Sequence, residues 1–107
     1  MKKLNNNEEI KKLIEESSMA IVYFTGMDCG ACEAIKYKVE MILKKYPEIK
    51  SAEISGEENP GAAAAYGVFS LPVCLAYTMG KEALRIGRNV DLLEFEKDID
   101  RYYEMIF

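Results

Sequence analysis

The apolar run at residues 19–24, followed closely by Cys29-Gly-Ala-Cys32, constrains this chain more than any other feature. Six consecutive apolar residues are typical of a central strand that is covered on both faces. After Cys32, apolar residues recur every three or four positions, which predicts an amphipathic helix over residues 31–46 that Pro47 stops. The two cysteines therefore stand at the start of a helix, where unpaired N–H groups and the helix dipole favour a reactive thiolate.

Length and composition limit the classes of protein to consider. With 107 residues, half of them hydrophobic and 30% charged, the chain fits one globular domain over residues 1–107. No apolar run approaches the roughly 20 residues of a membrane span, and the first residues lack the apolar core of a secretory signal peptide. The net charge of −4 and the lack of a basic cluster do not favour binding to nucleic acid or to an anionic membrane. We therefore expect neither partner.

The cysteine count points to a reducing compartment. A secreted domain held by disulfides would carry four or six cysteines at wide spacings, whereas this chain has three, one of which stands alone, so we expect it in the cytoplasm. The chain has no histidine, which excludes Cys-His and Ser-His catalysis and any metal site that needs histidine. A zinc site normally needs four ligands, and Cys29 and Cys32 supply only two, so we expect no metal. The alternative is a zinc site or an iron–sulfur cluster that two chains share. Cys74 lies in an apolar segment and is expected in the core, or else as a regulatory or dimer-forming thiol.

Boundary signals place two more helices around this unit. Residues 5–7 are asparagines that can cap a first helix, two glutamates follow in its first turn, and its apolar face ends near Ser17. Asn59 and Pro60 predict the start of another helix, with Asn59 as its cap, and Gly67 predicts its end. Both segments are therefore expected to be short helices.

Three further segments predict strands. Residues 51–54 complete a strand–helix–strand unit whose crossover should be right-handed. Residues 73–77 and 83–86 flank a turn at Gly80 and predict an antiparallel hairpin. Asp91 predicts the cap of a last helix. The buried stripe of that helix is expected to consist of Leu92, Phe95, Ile99, Tyr102 or Tyr103, and Ile106.

With these elements in order, the sequence resembles the thioredoxin family over essentially its full length. A C-x-x-C pair beside a strand–helix–strand pattern is one signature of that family. The motifs that sharpen the resemblance are Asn59-Pro60-Gly61, Tyr66-Gly67-Val68 and Ser70-Leu71-Pro72-Val73, the last matching the family's cis-proline segment. The resemblance implies an α/β thioredoxin-like fold, with a central mixed sheet of four to five strands and helices on both faces.

The same resemblance implies a thiol–disulfide oxidoreductase that reduces protein disulfides. Cys29, the more exposed cysteine, would attack the substrate disulfide, and Cys32 would resolve the mixed disulfide. Pro72 would be cis and lie beside the dithiol, while the backbone of Leu71 would pair with an extended substrate segment. Gly30, Ala31 and an apolar surface formed by Phe69 with Val68 and Leu71 would complete the substrate-binding set.

The resemblance also implies the partners of such a domain. Its redox-active group would be the Cys29–Cys32 disulfide, with no bound cofactor. Its substrates would be proteins that carry disulfides, and its electron donor a flavin- and NADPH-dependent reductase. We expect the chain to act as a monomer.

The chain departs from the family beside the dithiol. Family members commonly have tryptophan where this sequence has Asp28, and a carboxylate there opposes ionisation of Cys29. We therefore expect Cys29 to have a higher pKa than in ordinary thioredoxins. Gly30-Ala31 replaces the frequent Gly-Pro, which should leave the helix start less rigid.

Two more departures lie below the dithiol. Tyr23 aligns with the family's buried acidic residue, and Glu53 aligns near its lysine partner. The proton relay attributed to that pair would be absent or reassigned to Tyr23 or Glu53, unless both are ordinary strand residues.

The sequence is also compatible with two other functions. One is a glutaredoxin-like or dedicated single-partner thiol reductase. The other is a non-catalytic module that keeps the fold and uses Val68, Phe69, Leu71 and Pro72 as a docking face.

Overall fold

The computed structural model describes residues 1–107 as five strands and four helices. The strands are β1 (Lys2–Lys3), β2 (Met19–Thr25), β3 (Lys50–Ser55), β4 (Val73–Thr78) and β5 (Lys81–Ile86). The helices are α1 (Asn7–Glu16), α2 (Gly30–Leu43), α3 (Pro60–Ala65) and α4 (Leu92–Ile106). The expected α/β thioredoxin-like fold is confirmed. None of the helices is both long and apolar enough to cross a membrane.

The strands form one mixed sheet in the order β1-β3-β2-β4-β5. Strands β1, β3 and β2 are parallel, and β4 and β5 are antiparallel to their neighbours. Because β5 is antiparallel to β4 and β4 is antiparallel to β2, β5 runs in the same direction as β2. The segments that follow β2, β3 and β5 and the segment that precedes β4 therefore lie together, where the strands end, at one side of the sheet.

The sheet separates two hydrophobic layers because successive side chains of a strand point to opposite faces. Ala20, Val22 and Phe24 of β2 pack with α1 and α3, whereas Ile21 and Tyr23 pack with α2 and α4. Every residue from position 19 to 24 is buried, so the prediction of a strand covered on both faces is confirmed.

Helix caps explain where α1 and α4 begin. The Asn6 side chain accepts a hydrogen bond from the Glu9 N–H at 2.9 Å. The Asp91 carboxylate accepts from the N–H groups of Leu93 and Glu94, each at 3.1 Å. Both caps satisfy N–H groups that have no partner within the helix, and both agree with the sequence prediction.

The end of α2 differs from the prediction. The helix ends at Leu43 rather than at residue 46, and the Tyr46 N–H bonds to the Leu43 carbonyl at 2.9 Å in a tighter turn. Proline disfavours helical geometry for the residue before it, which is Tyr46. The Tyr46 hydroxyl also donates to Asp100 Oδ1 of α4 at 3.0 Å. A contact distant in sequence thus helps to fix this boundary.

Two smaller features differ as well. No pattern in the sequence predicts β1, whose two lysines pair with β3 through the backbone as an edge strand of the sheet. Asn59 occupies the cap position of α3 but makes no side-chain cap; its amide instead donates to the Ser55 carbonyl at 3.0 Å. The prediction of Asn59 as a capping side chain is therefore wrong.

Candidate active site

Cys29 and Cys32 form a disulfide at the first turn of α2, with Cα atoms 5.2 Å apart. Cys29 is the residue that caps the helix, and its Sγ accepts a hydrogen bond from the Cys32 N–H at 3.2 Å. Cys29 is half-buried, whereas Cys32 has no exposed surface. The predicted position of the pair and the predicted order of exposure are confirmed.

Asp28, the residue before the helix cap, has a left-handed backbone conformation. Asp28 has φ of +46°, a conformation that aspartate tolerates better than most residues with a side chain. Its side chain is exposed and lies in the groove that Cys29 also lines. The residue that departs from the family pattern thus directs the backbone into the cap as well as adding a charge beside the thiol.

The segment before β4 is held by a leucine that fits against two glycines. A Cβ on Gly26 would lie 3.0 Å from Leu71 Cδ1, and one on Gly56 would lie 2.9 Å from Leu71 Cδ2. The Leu71–Pro72 peptide bond is cis, as the resemblance implied, and Pro72 is fully buried. The missing side chains at the ends of β2 and β3 therefore create the space that seats Leu71.

The carbonyl of Leu71 has a partner that the sequence analysis missed. Arg88, in the loop between β5 and α4, donates from Nη2 to Leu71 O at 2.9 Å. Only the three-dimensional return of β5 to this edge of the sheet brings Arg88 here, and no local motif marks it.

Tyr23 lies directly behind the dithiol. Its side chain is fully buried, and its hydroxyl donates to the Cys32 carbonyl at 2.7 Å. Burial, reinforced by Cys74 and Glu33, raises its pKa well above the ordinary value of 10.0. Tyr23 is therefore a neutral hydrogen-bond donor that supports the first turn of α2, not a base.

Glu53 pairs with a lysine from α2. Lys36 Nζ lies 3.2 Å from Glu53 Oε2 and 3.5 Å from Glu33 Oε2. Burial lowers the pKa of Lys36, but hydrogen bonding to Glu53 and the charges of Glu53 and Glu33 outweigh it and raise that pKa. An ion pair thus exists next to Tyr23, with its acid on β3 and its base on α2. Lys36 was missed, although its position one helical turn after Cys32 could have indicated it.

Cys74 lies apart from this chemistry. It is a free thiol in β4, aligned with Tyr23 of β2 and 2% exposed. Burial raises its pKa to about 12. Cys74 is therefore a core residue, as expected.

A groove of about 510 Å³ runs past the exposed side of the dithiol. Its walls include the predicted substrate-binding residues Gly30, Ala31, Phe69 and Leu71, but neither Val68 nor Pro72, together with residues that the sequence did not indicate. They are Met27, Asp28, Cys29, Gly30, Ala31, Glu57, Phe69, Ser70, Leu71 and Arg88.

The apolar part of this surface is smaller than predicted. Phe69 is 85% exposed and Met27 is 58% exposed. Val68, by contrast, is 3% exposed and belongs to the core layer of α1 and α3. The expectation that Val68 contributes to a docking surface is wrong because its side chain points inward. Leu71 is partly buried against the core and against Gly26 and Gly56, so it offers little apolar surface.

Comparison with known proteins agrees with this geometry. The family model for thioredoxin matches residues 1–101. The thioredoxin-like protein YdfQ of Bacillus subtilis is 27% identical over 102 residues, which are 95% of this chain and 91% of that protein.

Solved structures show the same arrangement of elements. Fasciola hepatica thioredoxin superposes with a TM-score of 0.83 at 30% identity, covering 95% of this chain and 99% of that one. Oxidised mitochondrial thioredoxin 3 of Saccharomyces cerevisiae superposes with a TM-score of 0.83 at 22% identity, covering 94% of each chain. The family model, the shared fold and the cysteine pair at the helix start lead to one conclusion: this chain belongs to the thioredoxin family.

Proposed function

We propose that this chain is a thiol–disulfide oxidoreductase that reduces protein disulfides through Cys29 and Cys32. The observation that carries the proposal is the Cys29 sulfur at the cap of α2, accepting the Cys32 N–H at 3.2 Å. In the reduced protein, the same N–H and the helix dipole would stabilise a Cys29 thiolate. Because Cys29 is half-buried and Cys32 fully buried, a substrate disulfide can reach only the first sulfur.

The reaction has two exchange steps. The Cys29 thiolate attacks one substrate sulfur, which forms a mixed disulfide and releases the other substrate sulfur as a thiolate. Cys32 then loses its proton to solvent or to the released thiolate and attacks Cys29 Sγ. That step re-forms the Cys29–Cys32 disulfide and releases the second substrate thiolate, so the two electrons of the dithiol reduce the substrate disulfide.

The residues around the dithiol would bind the substrate. Gly30 and Ala31 line the groove beside Cys29, and Phe69 offers the largest exposed apolar surface there. The backbone of Leu71 would pair with an extended substrate segment next to Pro72.

Turnover requires a source of two electrons to reopen the disulfide. We propose a flavin- and NADPH-dependent reductase as that donor, with no cofactor bound to the chain itself. The odd cysteine count favours a reducing compartment, so we place the protein in the cytoplasm and propose that it acts as a monomer.

Reduction of insulin disulfides by dithiothreitol, followed by turbidity, tests the proposal. Wild type and the core control Cys74→Ala should accelerate the reaction, and Cys29→Ser should fall to the uncatalysed rate. When reduced Cys32→Ser is freed of dithiothreitol and mixed with insulin, it should accumulate a mixed disulfide through Cys29, seen as an intact-mass adduct. Circular dichroism establishes that each variant is folded.

Equal rates for wild type and folded Cys29→Ser would contradict the proposal and favour a docking module that uses Phe69 and Met27. Activity on glutathione disulfides alone would favour the glutaredoxin-like alternative. The direction of electron flow follows from the midpoint potential of the dithiol, since about −270 mV indicates a reductant and about −120 mV an oxidant.

A further inference from the structure

Arg88 differs from the other arginines of the chain in having no carboxylate partner. The sequence contains three arginines. Arg85 pairs with Glu82 and Arg101 pairs with Asp98, whereas Arg88 takes part in none of the ion pairs of the structure. Arg88 is exposed and lines the groove next to Cys29. A positive charge thus stands unpaired beside the dithiol.

One hydrogen bond holds this guanidinium in place and leaves most of its donors free. Arg88 Nη2 donates to the Leu71 carbonyl at 2.9 Å, and no other side-chain bond of Arg88 is present. A guanidinium carries five N–H donors in a planar fork that matches a carboxylate. The bond to Leu71 therefore fixes the group next to the segment with which a substrate would pair, and the remaining donors can bind an acceptor from the substrate.

The charged side chains that line the groove come from segments at the ends of neighbouring strands. Glu57 follows β3, Asp28 follows β2, Leu71 precedes β4 and Arg88 follows β5, in a sheet ordered β3-β2-β4-β5 at this side. Neighbouring strands lie about 4.8 Å apart. The two carboxylates thus lie on the β3 and β2 side of the groove and the guanidinium on the β5 side, with none of the three paired to another. A carboxylate on a substrate would therefore be attracted only to the side of the groove that carries Arg88.

We propose that Arg88 is a specificity-determining residue, which binds a carboxylate on the extended substrate segment that pairs with Leu71. The inference rests on the proposed function. It assigns to this protein a substrate class, namely protein segments in which aspartate or glutamate lies close to the cysteine under attack. The carboxylate would accept from the N–H groups that Leu71 leaves free, while Asp28 and Glu57 exclude it from the other side.

Matched peptides test the assignment. Three peptides of equal length carry glutamate, glutamine or lysine on both sides of one cysteine, which is joined by a disulfide to neutral 2-thiopyridine. The second-order rate of thiopyridone release by the reduced protein measures attack by Cys29. At low ionic strength we expect the glutamate peptide to react about threefold to fivefold faster than the glutamine peptide, which is the upper part of the range of an exposed ion pair. High salt should remove the difference.

Variants locate the effect. Arg88→Gln should bring the glutamate-to-glutamine rate ratio close to one. Arg101→Gln changes the net charge equally but lies on α4 outside the groove, so it should keep the wild-type ratio. Glu57→Gln should increase the ratio, because it removes a like charge from the groove. Arg88→Lys should keep part of the preference, since it retains the charge without the planar fork.

The outcomes separate this inference from the proposed function. Equal rates for the glutamate and glutamine peptides in wild type would overturn the role of Arg88, and so would an unchanged ratio in folded Arg88→Gln. Both results leave exchange through Cys29 intact. If no peptide reacts faster with wild type than with Cys29→Ser, the proposed function itself fails. The salt dependence in wild type needs no variant and decides the matter if Arg88→Gln does not fold.

Discussion

Cys74 and the disulfide partner of Cys29 both lie next to Tyr23, yet the fold gives Cys29 and Cys74 opposite chemistry. Tyr23 donates to the carbonyl of Cys32, the partner of Cys29, and it is aligned with Cys74 across β2 and β4. Cys29 stands at a helix cap, where a backbone N–H reaches its sulfur. Cys74 stands near the start of β4, where it pairs with Tyr23 of β2 and Ile86 of β5 in the sheet. The comparison leads us to expect that thiol reactivity depends on whether a backbone N–H group reaches the sulfur and on how deeply that sulfur is buried.

The free energy of ionisation explains the difference. A thiolate at Cys29 would gain a hydrogen bond and the favourable end of a helix dipole. A thiolate at Cys74 would be buried in an apolar layer with no donor, and burial raises the pKa of Cys74 to about 12. Three predictions test this contrast.

The largest effect is expected in alkylation of the reduced, folded protein. At neutral pH, Cys74 should react with iodoacetamide at least about a thousandfold more slowly than an ordinary exposed thiol, because each unit of pKa removes about tenfold of its thiolate. Cys29 should be labelled first. Mass spectrometry of the digested protein identifies each site, and the protein unfolded in urea is the control in which Cys74 becomes reactive. Rapid labelling of Cys74 in the folded protein would refute the contrast.

The second effect concerns stability at alkaline pH. The folded pKa of Cys74 is raised from 9.0 to about 12, so above pH 9 the unfolded state loses a proton that the folded state keeps. Stability from this group is therefore complete below pH 9 and is lost as pH rises toward 12, by up to about 1.4 kcal/mol per pH unit. Urea unfolding of the oxidised protein measures it, with Cys29 and Cys32 unable to titrate.

Cys74→Ala is the matched variant for that measurement. It creates a cavity that lowers stability at every pH, so only the slope against pH is compared with wild type. The slope of the variant should be shallower between pH 9 and 12. Parallel slopes would show that Cys74 ionises as easily in the folded state as in the unfolded state.

The smallest effect tests the charge beside Cys29. Asp28→Asn removes the carboxylate and keeps a residue that tolerates the φ of +46°. Because a negative charge near the sulfur opposes the thiolate, and solvent screens an exposed charge, the pKa of Cys29 should fall slightly in the variant. Thiolate absorbance at 240 nm against pH measures the change in the reduced protein. An unchanged midpoint would mean that the exposed Asp28 side chain is fully screened.

Local patterns in the sequence were sufficient for most of the fold and for the reacting pair. The six apolar residues at 19–24 have no solvated face, so they required a strand covered on both sides. The caps of α1 and α4 depend on side chains within three residues of the N–H groups that they bind. The cysteine pair was predictable for the same reason, since a helix start is a local structure.

Contacts between distant segments could not be predicted. Tyr46, which follows the end of α2, bonds to Asp100 across 54 positions, and no local pattern marks that contact. Val68, which a local reading placed on the surface, turns into the core beside α3.

The sequence by itself determined a strand followed by a helix that begins with two cysteines, because these features follow from hydrophobic period and local helix signals. The resemblance to the thioredoxin family implied that Cys29 would be the outer of the two sulfurs, as the structure shows. Only the tertiary structure decided what surrounds the dithiol, with Tyr23 bonded to the Cys32 carbonyl, Lys36 bridging to Glu53, and Arg88 reaching Leu71. Those contacts join different strands, helices and loops, and no local pattern contains them. Arg88 meets Leu71 because the order β3-β2-β4-β5 brings the segment after β5 next to the segment before β4.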